Sequence, residues 1–195
     1  MSIVSLDAQN WKIGTESPLA VIAGLNVLEN IELAITVGKE LKNICEDLGL
    51  PYIFKASFDK ANRSSIKSYR GPGFEQGLPM LAEIKQELGV GICTDLHEPY
   101  QAEEVAKVAD IVQIPAFLCR QTDLVVATAK AAGETGSVIQ VKKAQFLAPW
   151  DVKNIVSKIG EVLPGERVIL CERGTSFGYN NLVVDMLGIQ QMQAL

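Results

Sequence analysis

The chain has 195 residues, enough length for one sizeable hydrophobic core. Its 48% hydrophobic and 21% charged residues, with 6% aromatics, exclude a disordered segment, a collagen-like rod and a small disulfide scaffold. A formal charge of −5 lacks the basic excess of a nucleic-acid binder. The longest uncharged apolar stretch, Ser17 to Leu28, has about twelve residues where a membrane span needs about twenty. No basic segment followed by an apolar one stands at the start, so no signal peptide is expected. Cys45, Cys93, Cys119 and Cys171 are spaced too widely for a zinc knuckle or a redox pair. They read as reduced thiols of a cytoplasmic protein.

Along the chain, Ser2–Ile13 alternates weakly and suggests a small hairpin. Brief, nearly continuous apolar runs come next at Pro18–Ala23, Tyr52–Ala56, Gly91–Thr94, Ile111–Ile114, Val138–Val141 and Val168–Cys171. Such runs suit strands buried on both faces of a parallel sheet. Between them lie helical patterns at about 29–48, 74–88, 99–108, 121–132, 149–160 and 180–191. Ile31, Leu33, Ala34, Val37, Leu41 and Ile44 approximate a helical stripe in the first. Pro99 and Pro149 stand where helices can begin. The segment Ala132-Gly-Glu-Thr-Gly136 reads as an insertion between a helix and the fifth strand. Six strand–helix units in succession, with no linker or repeat, predict a single α/β domain with right-handed crossovers.

The residues at the end of each apolar run carry the chemistry. Strand one leads into Gly24-Leu-Asn26, strand two ends in Lys55, and strand three in Asp95 and His97. Gln113 lies at strand four, Lys142 and Lys143 at strand five, Glu172 and Arg173 at strand six. Polar groups after every strand favour a barrel, whose strand ends converge on one mouth, over an open sheet with a single crevice. Lys55, Lys60, Arg63, Arg120, Lys142, Lys143 and Arg173 concentrate positive charge there in an acidic chain. That inventory predicts a site for small polyanions, with phosphate the best fit for Arg forks and Lys point charges. The loop Lys55 to Ser65 is too polar for a core and too long for a tight turn, so it reads as a binding loop. Gly71-Pro-Gly73 reads as a turn, and Gly174 to Gly178 is only a loose match to an anion loop. His97 is the only histidine; beside it, Asp95 is a candidate proton acceptor or sugar-hydroxyl ligand.

These residues also carry a resemblance. Lys55-Ala-Ser-Phe-Asp-Lys-Ala-Asn-Arg-Ser-Ser65, Thr94-Asp-Leu-His-Glu-Pro99, Gln113-Ile-Pro-Ala-Phe-Leu-Cys-Arg-Gln-Thr-Asp123 and Cys171-Glu-Arg-Gly-Thr-Ser-Phe-Gly-Tyr-Asn-Asn181 resemble the hallmark stretches of the 3-deoxy-D-manno-octulosonate 8-phosphate synthases, in the same order. The resemblance implies a TIM (β/α)8 barrel and condensation of phosphoenolpyruvate with D-arabinose 5-phosphate, releasing phosphate, in lipopolysaccharide biosynthesis. It implies Asn26, Lys60, Asp95 and His97 as catalytic residues. Lys142 and Arg173, with Gln113 and Ala116, would hold the phosphoenolpyruvate phosphate, and Lys55 with Lys60 its carboxylate. Asn62, Arg63 and Ser64 would receive the sugar phosphate, the last two from a neighbouring subunit of a tetramer. Asp95 and Asn26 would contact sugar hydroxyls, and Arg120 and Gln145 complete the implied substrate-binding set. Gly24-Leu-Asn-Val-Leu-Glu29 matches the branch that works without a metal, since the metal branch has cysteine at the position of Asn26. No metal or other cofactor is therefore expected.

The family chain is longer and closes eight strands. Here the expectation is an incomplete barrel over 1–195, lacking two strands, a further histidine and a mobile loop. Two rivals stay open: a Schiff-base phosphosugar aldolase using Lys60 or Lys142, and a non-catalytic phosphosugar-binding fragment.

Overall fold

The computed structural model describes residues 3–6, 11–163, 165 and 167–195. Strands β1 (Val4–Leu6) and β2 (Trp11–Ile13) pair as an antiparallel hairpin. The expected hairpin is thus present, its Ser2 and residues 7–10 lying outside the described residues. The chain continues through β3 (Val21–Val27), α1 (Ile31–Asp47), β4 (Tyr52–Ser57), α2 (Phe74–Leu88), β5 (Gly91–Asp95), α3 (Ala102–Val108) and β6 (Ile111–Ile114). Then come α4 (Thr122–Thr135), β7 (Val138–Lys142), α5 (Lys153–Gly160) and β8 (Val168–Cys171). A second hairpin, β9 (Thr175–Phe177) and β10 (Asn181–Val183), precedes α6 (Met186–Gln193).

Among the described residues, β3 to β8 form one parallel sheet in chain order, each strand beside its sequence neighbour. A doubly wound sheet reverses its strand order at a switch point; this one does not. It is a run of six consecutive strand–helix units of a TIM-type barrel, as expected. No helix among the described residues is long and apolar enough to cross a membrane.

Alternation along the strands divides the core in two. Phe54, Ile92, Val112, Ile114, Ile139 and Val141 face outward and pack under the helices. Ile53, Cys93, Ile111 and Val138 face inward and meet Val4 and Leu6 of the first hairpin, which closes the amino end of the inner face. The opposite end stays open and polar. Burial pushes the Cys93 thiol up to about 12 and raises Cys45, Cys119 and Cys171, and all four thiols are free. At the mouth, β3 runs so close to β4 that a Cβ on Gly24 would lie 2.3 Å from the Lys55 carbonyl oxygen. Only glycine fits there.

Several boundaries differ from expectation. β3 and β4 extend to Val27 and Ser57, which places Asn26 and Ser57 inside strands. α4 continues to Thr135 and ends on Gly136 in the left-handed region, so the segment read as an insertion is a helix end. The helix expected over 180–191 begins only at Met186, because Asn180 and Gly178 at positive φ turn the chain into the β9–β10 hairpin.

Because Leu6 is 3% exposed against the inward residues of four strands, Leu6→Ala should lower stability by about 2–5 kcal/mol. Urea unfolding would measure this, with the midpoint lowered and the slope unchanged.

Candidate active site

The carboxyl ends of the six sheet strands surround a cleft of about 390 Å³. Asn26 comes from β3 and Lys55 from β4; the long loop after β4 adds Asp59, Lys60, Ala61, Asn62 and Arg63. β5 contributes Asp95, with His97 just beyond it. Gln113 of β6 is followed by a wall of Pro115, Ala116, Phe117 and Leu118, and Lys142 and Arg173 close the ring from β7 and from just past β8. Each strand residue in this ring owes its place to the inward parity set by the apolar residues below it.

Charge defines the site. Five cations, Lys55, Lys60, Arg63, Lys142 and Arg173, face two carboxylates across the cleft. One of these, Asp59, is held by Arg70 of the same loop through a two-pronged contact, its Oδ1 accepting from Arg70 Nε at 2.8 Å. The other, Asp95, is buried and lies 3.5 Å from Lys55 Nζ and 3.2 Å from His97 Nε2. Ser57, fully buried, donates to Asp95 and accepts from Lys55 Nζ at 2.8 Å and Lys60 Nζ at 2.9 Å. Burial alone would raise the Asp95 carboxyl. The His97 hydrogen bond, the Lys55 charge and the Ser57 hydroxyl outweigh it and hold Asp95 well below the usual carboxylate range.

Lys60 feels the opposite balance. Burial, then the neighbouring Lys55, push its ammonium down to about 8; Asp95 opposes them, and Lys142 and Arg63 add to the fall. Cations crowded into a half-buried cleft favour an incoming anion, which relieves their mutual repulsion. His97 packs edge-on against Phe58 with ring centres 5.6 Å apart, and its Nδ1 is buried without a hydrogen-bond partner among the described residues.

Of the residues singled out in the sequence, Asn26, Lys55, Lys60, Asn62, Arg63, Asp95, His97, Gln113, Ala116, Lys142 and Arg173 come together in the cleft. Ser64, Arg120 and Gln145 do not line it. Ser64 and Arg120 are exposed, and Gln145 is half-buried, its backbone carbonyl accepting from Ser176 N at 3.0 Å. Lys143, read as part of the cationic ring, is corrected outright. Next to inward-facing Lys142, it points to the other side of the sheet, where it is completely buried. Ser57, Asp59, Pro115, Phe117 and Leu118 escaped the sequence reading; Ser57 was accessible to it, being two residues from Lys55 on the same strand face. Among the described residues no group of three or more His, Cys, Asp and Glu side chains is placed to hold a metal ion, and no cysteine lines the cleft.

Fold and site together define a (β/α)-barrel protein with a cationic cleft at the carboxyl ends of its strands. The chain belongs to the DAHP synthetase I family, whose model matches residues 2–195. It is similar to the 2-dehydro-3-deoxyphosphooctonate aldolase of Pseudomonas putida strain GB-1, 59% identical over 184 residues, which covers 94% of this chain and 64% of the relative. Proteins of the same name from Marinobacter nauticus and Shewanella amazonensis are 55% and 52% identical, covering 100% and 99% of this chain and 68% and 67% of theirs. The chain thus spans about two thirds of the length of these relatives, 64% of the Pseudomonas putida protein.

Lysine labelled at the ε-carbon and followed by NMR should show Lys60 titrating near 8. Asp95→Asn should move that midpoint lower, because Asp95 is the neighbour that raises it. Between pH 8 and 10.5 the unfolded chain keeps a proton on Lys60 that the folded chain has lost. The Lys60 contribution to stability therefore rises with pH across that window. A bound anion should move the midpoint upward.

Proposed function

We propose that the cleft condenses phosphoenolpyruvate with D-arabinose 5-phosphate to give 3-deoxy-D-manno-octulosonate 8-phosphate and inorganic phosphate. One observation carries this reading: five cations from different strands and one loop converge on a cleft large enough for two small phosphorylated molecules. The name shared by relatives at 52–59% identity supports it.

In this reading Lys142 and Arg173, with Gln113 and the Ala116 backbone, take the phosphoenolpyruvate phosphate, and Lys60 and Lys55 its carboxylate. Asn62, Arg63 and Ser64 receive the sugar phosphate, and Asn26 and Asp95 its hydroxyls. The enol carbon attacks the sugar aldehyde and the aldehyde oxygen gains a proton. Water adds to the adjacent carbon and loses a proton. The tetrahedral intermediate then breaks its carbon–oxygen bond to phosphate and becomes the keto acid. The protein supplies position and fixed positive charge for two dianions. Lys60, titrating near 8, can release or accept a proton close to neutral pH. The ring of ammonium and guanidinium groups takes the role a metal would otherwise fill, so the reaction is proposed to need none. Four free thiols fit a reducing cytoplasm. A tetramer in which Ser64 serves a neighbouring cleft fits the exposure of that residue, whereas Arg63 lines the cleft of its own chain.

The Lys60 value also favours a second reading, a Schiff-base aldolase, because a lysine nucleophile needs a depressed ammonium. Burial, with the crowding of Lys55, Lys142 and Arg63, produces that depression whether or not Lys60 acts as a nucleophile.

A phosphate-release assay separates these readings. It should be run on this chain and on a form extended with the carboxyl-terminal third of the Pseudomonas putida relative. Phosphate should leave phosphoenolpyruvate only when arabinose 5-phosphate is added, and a chelator should leave the rate unchanged. Lys60→Ala or Arg173→Ala should lower it by about 10²–10³-fold. Silence from both forms, or substrate trapped on the protein by borohydride, would overturn the proposal.

A further inference from the structure

Behind the cleft, on the other side of the sheet, lies a second charged pair that the reaction does not use. Lys143 and Glu172 have side chains 1% and 7% exposed, with Lys143 Nζ 3.6 Å from Glu172 Oε2. Neither residue lines the cleft. Lys143 Nζ donates to the carbonyls of Ala144 and Leu147 at 3.3 Å, to that of Gly174 at 3.4 Å and to Thr175 Oγ1 at 3.1 Å. The Glu172 carboxylate turns back on its own loop and accepts from Gly174 N at 2.5 Å.

Each member of this pair is the sequence neighbour of a cleft cation. Lys142 precedes Lys143, and Arg173 comes directly after Glu172. The backbone joins the same two places: Lys142 is in register with Cys171, and Lys143 N donates to the Cys171 carbonyl at 3.0 Å. One buried ammonium therefore ties the turn after β7 to the turn after β8, and its carboxylate partner fixes the loop on which Arg173 stands. We propose that Lys143 and Glu172 are positioning residues that set the separation and direction of Lys142 and Arg173. This rests on the reading of those two cations as the phosphate clamp of the proposed function.

Two ends of strands alone would hold their last side chains loosely. The Lys143 ammonium, shared between carbonyls of its own turn and Gly174 and Thr175 of the next, holds these two together with a buried counter-charge instead. A buried ion pair is weak evidence for stability, since an uncharged replacement of similar size is often tolerated. Its value here lies in geometry, because a clamp for a single phosphate fails when its two arms drift apart.

The test uses the full chain and isothermal titration with phosphoenolpyruvate, inorganic phosphate and arabinose 5-phosphate, together with thermal unfolding. Lys143→Met alone strands a buried carboxylate and can lower stability. The double variant Lys143→Met with Glu172→Gln removes that charge while keeping an acceptor for Gly174 N. The double variant should melt close to the parent, yet lose about tenfold or more in affinity for phosphoenolpyruvate and phosphate. Its affinity for arabinose 5-phosphate, held by the loop after β4, should be unchanged. Undiminished phosphoenolpyruvate affinity in the double variant would overturn the proposal. So would losses for both substrates that track the melting temperature. Lys142→Ala is the control: if it leaves phosphoenolpyruvate binding intact, the clamp reading itself fails, and the positioning role with it.

Discussion

Asp95 is the one buried carboxylate around which the cations of the cleft are arranged. It takes Lys55 and His97 directly, and through Ser57 it is connected to Lys60. Without it, two lysines and their more distant partners would share a half-buried cleft opposed only by Asp59, which is already paired with Arg70. Its own ionisation is secured by the same neighbours, so the arrangement is mutual. Ser57 makes this possible, as a small hydroxyl can donate to the carboxylate while accepting from two ammonium groups. The network holds Lys55 and Lys60 in place yet leaves the cleft with positive charge to spare.

A second constraint is the two-residue period of the strands. It sends Lys55, Asp95, Gln113 and Lys142 inward at the mouth, above the apolar inward layer of Ile53, Cys93, Ile111 and Val138, with Gln140 between Val138 and Lys142. The same period sends Lys143 outward, where it meets Glu172 rather than a ligand. Adjacent residues of like charge thus acquire different roles from parity alone. The first hairpin closes the lower end of this inner face, so the open, hydrated end is the one that carries charge.

Much of this was legible in the sequence because buried parallel strands leave unbroken apolar runs, and the residue that ends each run must lie near the mouth. The six strands, their order and seven of the cleft residues came from that; Lys60 and Arg63 came from the polar loop, and Asn62 and Ala116 from the resemblance. Lys143 was misread because a run of two lysines says nothing about parity until the strand's last inward residue is known. The β9–β10 hairpin was missed because a short apolar run flanked by polar residues suits helix and strand alike. Its turn depends on positive φ at Gly178 and Asn180. Phe117 and Leu118 gave no signal, since wall residues in a loop obey no period. Ser64 and Gln145 came from the resemblance, Arg120 from the count of strand-end cations as well, and none of them lines the cleft of this single chain.

The separation of charge explains how a chain of net charge −5 can attract dianions. Many of its acids stand on the outer helices, with Glu32, Glu40 and Glu46 on α1, Glu83 and Glu87 on α2, and Glu103 and Glu104 on α3, all exposed. Several are offset by lysines on the same surface, such as Lys39 with Glu87 and Lys107 with Glu103. Solvent and salt screen these outer charges over roughly 8–10 Å at ordinary ionic strength. The cleft cations are different. Packed, low-dielectric side chains back them on the sheet side, so their field is focused toward the open mouth. A phosphorylated molecule approaching that opening meets the local excess rather than the net charge. The acidic exterior sets the sign of the whole chain, while the cleft behaves electrostatically as a basic protein would.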